Sequence, residues 1–323
     1  MISRRKLLQA GLPAMAGLAI GSRFADAASG GSSPIEARLA ELEKKSGGRL
    51  GVAVLETANG AQFCHREEER FPMCSTSKLL TVGAVLTRVD RGKDHLGRMV
   101  HFSKSDLATY SPATGERVGQ GMTIEELCVA ALTLSDNTAA NLLLATLGGP
   151  PGFTRFARSL GDNVTRLDRN EPTLNEALPG DPRDTTSPTA MMTDLRTLAL
   201  GDQLSAGAKA HLKEWLIANT TGDKRLRAGV PKDWKVGDKT GSGDHGTAND
   251  VAILWPPGHA PLLAAVYLTG ATVDNDARER TIAAVGELVA RTLRSRFSLV
   301  ETGFWTNMGR NALPDCPGSL FQA

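Results

Sequence analysis

The chain has 323 residues, 41% apolar and 22% charged, which suits one large or two medium globular domains with a hydrophobic core. Its formal charge of +2 is close to balance and argues against a nucleic-acid partner, which needs a basic face. The four cysteines (Cys64, Cys74, Cys128 and Cys316) form no C-x-x-C pair and the six histidines are scattered, so no metal-binding spacing is present and no cofactor is implied.

The N-terminus reads as an export signal. Ser3-Arg4-Arg5-Lys6-Leu7-Leu8 precedes an apolar run from Leu7 to Ile20, and Ala25-Asp26-Ala27 ends it as an A-x-A cleavage site. The arginine pair fits a twin-arginine leader, with an ordinary secretory signal as the alternative, and the run is short for a membrane span. Cleavage after residue 27 removes four positive charges (Arg4, Arg5, Lys6, Arg23) and one negative (Asp26), turning +2 into −1. The mature chain is expected in the periplasm or secreted, without a membrane contact, as a monomer.

Ser33-Pro34 predicts a helix with Ile35, Leu39 and Leu42 on one face, stopped by Gly47-Gly48. Residues 49–57 read as a strand, Asn59-Gly60 as a turn and residues 62–67 as the hairpin partner. From residue 75 to 220 the pattern is mostly helical, with a capping box at Thr123 and Glu126 and another helix start at Ser187-Pro188. Between those helices, residues 166–186 carry three prolines and no clear period, and read as a long ordered loop. Strands return at 235–240, 250–255 and 261–269, followed by a closing helix with Ile282, Val285 and Val289 on one stripe. Residues 297–323, with Phe304, Trp305, Pro314 and Pro317, read as a loosely ordered tail. The order implies an α+β fold: an antiparallel five-stranded sheet with flanking terminal helices, in residues 28–72 and 218–296, interrupted by an all-helical domain in residues 73–217.

Ser75-Thr76-Ser77-Lys78 carries the first chemical signal. It stacks a hydroxyl and an amine on one helical face, and a serine becomes a nucleophile only when a base takes its proton. A lysine serves as that base when burial or neighbouring cations lower its pKa. The spacing alone is weak, since it recurs at Ser3 and Lys6. Ser135-Asp136-Asn137 and Lys239-Thr240-Gly241 each occur once and make it informative.

These three motifs, in this order, mark class A β-lactamases and penicillin-binding proteins. The sequence resembles class A serine β-lactamases over roughly residues 35–295, with further matches at Phe71-Pro72-Met73-Cys74, Glu171-Pro172-Thr173-Leu174-Asn175 and Asp181-Pro182-Arg183-Asp184-Thr185-Thr186. Gly243-Asp244-His245-Gly246 is similar to broad-spectrum chromosomal members. The resemblance implies a β-lactamase/transpeptidase-like fold and hydrolysis of the β-lactam amide of penicillins and cephalosporins, conferring antibiotic resistance, with a small β-lactam as the partner. It implies that Ser75 is the nucleophile and that its N–H, with that of Ser242, forms an oxyanion hole. Ser135 would pass a proton to the departing nitrogen and Asn137 would meet a substrate amide, while Tyr110 would wall the entrance. Lys239, Thr240, Gly241 and Ser242 would cradle the substrate carboxylate. Arg225 matches an alternative arginine for that role, because the usual arginine position is Ala248. Glu171 and Asn175 would hold and deprotonate the hydrolytic water. Arg169 and Asp184 would clamp the loop neck, and Glu171–Pro172 is a candidate cis bond. Lys78 and Glu171 are both candidates for the base that takes the Ser75 proton.

Two departures from the family pattern matter. Carbapenem-hydrolysing members bond the cysteine before the nucleophile to a second one, but here that position is Gly243, and the usual partner position of Cys128 is Val82. Cys74 and Cys128 are therefore expected as free buried thiols, and strong carbapenem hydrolysis is not expected; whether Cys64 pairs with Cys316 stays open. A D,D-peptidase would share the three motifs but lack the Glu171–Asn175 pair. A β-lactam sensor module would need a membrane or signalling segment, and none is visible beyond the leader.

Overall fold

The computed structural model describes the backbone of residues 33–301 and the side chains of residues 33–294. The leader, the tail from residue 302 and Cys316 lie outside the described residues.

Helix α1 (Pro34–Ser46) begins with a complete capping box: Ser33 Oγ accepts from the Glu36 N–H at 3.2 Å, and Glu36 accepts from the Ser33 N–H at 2.9 Å. Strands β1 (Arg49–Glu56) and β2 (Gln62–His65) form the expected hairpin. Strand β3 (Phe71–Pro72) leads through a single 3₁₀ turn, Cys74–Thr76, into α2 (Ser77–Asp90). A small ladder of β4 (Met99–Val100) and β5 (Met122–Thr123) precedes α3 (Ile124–Thr133), α4 (Asn137–Thr146) and α5 (Gly149–Ser159). The long loop ends in β6 (Thr185–Thr186), which pairs back onto β3. Helices α6 (Pro188–Ala199), α7 (Ala206–Ile217) and the short α8 (Leu226–Gly229) follow. Strands β7 (Lys235–Gly243), β8 (Thr247–Trp255) and β9 (Leu262–Thr269) and helix α9 (Asn275–Glu301) complete the described chain.

The five long strands run in the order β2-β1-β9-β8-β7, each antiparallel to its neighbours. Side chains alternate across a strand, and here both faces are covered. Val52 and Val54 of β1, and Ala264, Val266 and Leu268 of β9, join Leu39, Leu42, Ile282, Val285 and Val289 of α1 and α9 in one buried cluster. Ala53, Leu55, Leu263, Ala265 and Tyr267 face the other way, into a larger cluster with α2, α3, α4, α6 and α7. Two-sided burial explains why β9 reads as a continuous apolar run instead of an alternation. Each fully buried leucine or valine contributes on the order of 2 kcal/mol.

Two expectations change. Strand β7 continues past the K-T-G stretch to Gly243, and β8 starts at Thr247 instead of 250, because Gly243↔Thr247 closes the ladder across a turn with His245 at φ 51° and Gly246 at φ 66°. Small residues with little strand preference are held there by backbone pairing, which local pattern does not report. The closing helix runs to Glu301, beyond the expected limit of 296, and no proline stands between Pro261 and Pro314 to stop it earlier. The long loop is ordered as expected, with a 3₁₀ turn at Thr173–Asn175 and its end in β6.

Asp194 on α6 is 1% exposed, and its Oδ2, like Asp162 Oδ2, has no hydrogen-bond donor within the protein. Burial, with Asp162 beside it, holds the Asp194 carboxyl well above the usual carboxylate range, and Arg158 opposes this only in part. The folded state therefore binds this proton more tightly than the unfolded state, so its stability contribution is present in acid and lost as pH rises from the ordinary carboxyl value through the raised one. Asp194→Asn substitutes an amide N–H for the proton that burial holds on the Asp194 carboxyl. Melting temperatures from mildly acidic to mildly alkaline buffer should show the variant gaining on the wild type as pH rises. Parallel curves would refute a proton held on Asp194.

Candidate active site

Ser75 lies in the 3₁₀ turn before α2, and Lys78 in the first turn of the helix, so the three-residue spacing places both side chains together. Lys78 Nζ donates to Ser75 Oγ at 2.7 Å, and Ser75 Oγ donates to Glu171 Oε1 at 3.1 Å. Cys74, just before the serine, is buried with φ 48°, a left-handed conformation that costs a non-glycine residue roughly 1–3 kcal/mol. The turn that presents Ser75 is therefore held by its surroundings.

Lys78 is 1% exposed and is surrounded by oxygens. Besides Ser75 it faces Ser135 O at 2.9 Å, Ser135 Oγ at 3.2 Å, Asn137 Oδ1 at 2.7 Å and Glu171 Oε1 at 2.8 Å. An ammonium has three hydrogens, so these oxygens share them. Burial pushes the Lys78 ammonium below the ordinary lysine value, while Glu171 pulls the other way. Lys239, at 0% exposure, donates to Ser135 Oγ at 3.1 Å and Thr240 O at 2.9 Å. Burial and the nearby charge of Lys78 lower Lys239 to about 7. Ser135 Oγ thus accepts from two amines, which uses both lone pairs and frees its own proton for another group.

Asp136 is structural within the second motif. It caps α4 through the Ala139 N–H at 2.8 Å and takes the Ala113 and Thr114 N–H groups at 2.9 Å each. Asn137 bridges the neighbouring loop to Lys78, its Nδ2 donating to Thr109 O at 2.7 Å. Tyr110 O accepts the Asn137 N–H at 3.0 Å, while the tyrosine itself is 59% exposed and so is not a core residue. From the start of α8, Arg225 Nη1 donates to Gly241 O of β7 and Nη2 to Ser242 Oγ, both at 2.7 Å. Thr240 Oγ1 shares a hydrogen bond with Thr221 Oγ1.

The loop brings its carboxylate to the same place. The Glu171–Pro172 bond is cis. Asn175 Nδ2 donates to Glu171 Oε2 at 2.5 Å, and Glu171 is 6% exposed. Asn141 holds the backbone of the same residue, accepting its N–H and donating to its carbonyl, both at 2.9 Å. Sequence reasoning missed Asn141, although it stands four residues after Asn137 and so shares its face of α4. At the neck, Arg169 Nε donates to Asp184 Oδ2 at 2.5 Å, and Asp184 Oδ1 accepts the Asp168 and Arg169 N–H groups at 2.7 and 2.9 Å. The Asp184 carbonyl accepts the Met73 N–H at 2.9 Å, tying the neck to the serine turn.

Cys74 and Cys128 are free and buried. A side chain at Gly243 would start 2.6 Å from Cys74 Sγ and 2.7 Å from Asn175 O, so this approach requires glycine. Among the described residues, no group of His, Cys, Asp and Glu is arranged to hold a metal ion, and no helix is long and apolar enough to cross a membrane.

Residues 34–293 match the sequence pattern of the β-lactamase enzyme family. An ancestral class A β-lactamase of known structure is 63% identical, covers 80% of this chain and 99% of its own, and superposes with a TM-score of 0.79. The chain belongs to the class A β-lactamases. Members that it is similar to include β-lactamase CTX-M-8 of Citrobacter amalonaticus, 51% identical over 255 residues, which are 79% of this chain and 88% of the relative. β-Lactamase OXY-2 of Klebsiella oxytoca is 49% identical over 259 residues, 80% and 89% of the two chains. Family membership agrees with the shared five-stranded sheet and helical region.

The Arg169–Asp184 pair makes a direct prediction for this β-lactamase. Arg169→Ala leaves a carboxylate of 0% exposure without its cation and should lower stability by on the order of 2–4 kcal/mol in urea unfolding. A loss under about half a kcal/mol, the scale of an exposed pair, would mean that the backbone bonds alone hold the neck.

Proposed function

We propose that the chain opens the β-lactam ring of penicillins and cephalosporins through an acyl-enzyme on Ser75, and that a water activated by Glu171 releases it. The observation that carries this reading is Ser75 Oγ lying between Lys78 Nζ at 2.7 Å and Glu171 Oε1 at 3.1 Å, with Asn175 on the far carboxylate oxygen. In acylation, Ser75 Oγ bonds to the lactam carbonyl carbon, its proton passing to the Lys78–Glu171 pair, and the carbon–nitrogen bond breaks. The nitrogen takes a proton from Ser135, whose oxygen is restocked from the two amines beside it. The carbonyl oxygen gains negative charge between the N–H groups of Ser75 and Ser242, each worth about 3–4 kcal/mol in the transition state. In deacylation, Glu171 takes a proton from water as the water oxygen bonds to the ester carbon and Ser75 Oγ leaves, which contributes roughly 10²–10⁴ in rate.

Lys239, Thr240 and Ser242, with Arg225 behind, form the site for the substrate carboxylate, with Asn137 and Tyr110 at the entrance. The glycine at 243 and the free thiol of Cys74 favour penicillins and cephalosporins over carbapenems. The leader motif supports export, and one chain supplies every residue of the site, which supports a monomer acting on its own.

Purified protein should hydrolyse nitrocefin, Ser75→Ala should abolish this, and Glu171→Ala should accumulate a penicilloyl adduct on Ser75 visible by intact-protein mass spectrometry. A wild-type enzyme that stalls as that same long-lived adduct would sink the hydrolase reading. A pH test follows from Lys239, whose amine sits at about 7. The group is charged below that value and neutral above it, so attraction for a carboxylate falls as pH rises through it. The ratio of kcat/KM for a cephalosporin acid to that for its neutral ester should decline above neutrality. A flat ratio would remove Lys239 from carboxylate binding.

A further inference from the structure

The oxyanion hole proposed above has an unusual construction problem. Its two N–H donors come from segments far apart in sequence: Ser75 from the strained 3₁₀ turn and Ser242 from strand β7. Each donor is useful only if the distance between the segments is fixed, and a misplacement near 1 Å can cost about 10²-fold in rate.

Asn249 joins the two. It stands on β8 directly opposite Gly241 of β7 and beside Tyr267 of β9, with 0% exposure. Period-two alternation places it on the same face as Val251 and Ile253, toward the helices and the site. Its Nδ2 donates to Pro72 O at 2.9 Å and to Met73 O at 3.1 Å. An amide NH₂ has two hydrogens, so both are spent on the two carbonyls that precede strained Cys74. Met73 O also accepts from Thr76 N at 3.2 Å and Thr76 Oγ1 at 2.8 Å, and Thr76 Oγ1 in turn meets Tyr267 OH at 3.1 Å. The backbone oxygen of Asn249 accepts from Arg225 Nη1 at 2.7 Å, and the same guanidinium holds Ser242 Oγ. Gly241 permits the approach: a Cβ there would lie 2.7 Å from Met73 O and 3.2 Å from Asn249 Nδ2. Asn249 Oδ1 is buried without a hydrogen-bond donor, so this residue accepts a polar cost that an apolar one would avoid.

We propose that Asn249 is a positioning residue that sets the oxyanion hole, pinning the peptides before Cys74 to the β7–β8 ladder so that the Ser75 and Ser242 N–H groups converge on one oxygen. The proposal rests on Ser75 being the acylated residue, and the wild-type penicilloyl adduct tests that reading separately.

The experiment compares wild type, Asn249→Ala and Asn249→Asp by pre-steady-state acylation with a cephalosporin, by inhibition with a tetrahedral boronic acid and by melting temperature. Asn249→Asp keeps the shape but offers at most one donor, the proton that burial would hold on its carboxyl, so it guards against the case in which the smaller variant does not fold. Acylation should slow by about 10–100-fold in each variant that folds, and boronate affinity should fall by the same factor, because both depend on the tetrahedral oxyanion. Substrate affinity before acylation, measured in a Ser75→Ala background, should change less than about threefold, since the ground state does not need the hole. Unchanged acylation, or a loss confined to melting temperature or ground-state affinity with boronate binding retained, would overturn the proposal.

Discussion

Lys78, Lys239 and Glu171 are buried together where β7, α2, α4 and the long loop meet, and this concentration of charge governs the rest of the site. An ion taken out of water costs several kcal/mol unless oxygens or opposite charges replace the lost hydration. Here the replacements come from separate stretches of chain: Ser75, Ser135 with Asn137, Glu171 and Thr240. No one of these stretches can shift without leaving an amine short of a partner. The same crowding that makes the cluster demanding lowers both lysines, and an amine with a lowered pKa exchanges protons near neutrality far more readily than an ordinary one.

The long loop is ordered for the same reason. Its carboxylate must arrive in the buried cluster with a fixed direction, and three independent ties secure it: Asn141 on the Glu171 backbone, Asn175 on its side chain and the Arg169–Asp184 pair at the neck. The neck also joins the serine turn through Met73, and the loop joins the β7–β8 turn through Asn175 O and the Asp244 N–H. Serine turn, loop and β7–β8 hairpin therefore form one hydrogen-bonded ring, closed by Asn249 on Met73 O. Gly241 and Gly243 lie where that ring closes, and contact there leaves no room for a side chain.

Arg225 shows how a buried cation can reach one strand from a different segment of chain. The family's usual site matches Ala248, which stands opposite Ser242 in the ladder. Arg225 enters instead from the start of α8 and reaches Ser242 Oγ from behind the strand. Arg225 also bonds the carbonyl of Asn249, the residue after Ala248, so its guanidinium lies between the β7 and β8 backbones at that point of the ladder.

Much of this was legible along the chain. Capping residues at Ser33, Thr123 and Ser187 named helix starts because an N-cap is a local bond, and the Ile282, Val285 and Val289 stripe named the buried face of α9 because helical period is local too. Asn249 carried no such signal, and helical spacing marked Asn141 only as a neighbour of Asn137: each is a single polar residue in an ordinary element, and its partners lie more than 170 and 30 residues away, respectively. The limits of β7 and β8 escaped for a related reason, since their glycines and small polar residues are held by a partner strand and not by their own preference. The amino-acid sequence by itself determined which groups are available, from Ser75 and Lys78 to Glu171 and Lys239, and which local elements carry them. Only the tertiary structure decided that one buried amine meets oxygens from three motifs, that Arg225 reaches Ser242 on the strand opposite Ala248, and that Asn249 ties strand to turn. Hydrogen bonds and desolvation act over a few ångströms in space, and distance along a chain does not report them.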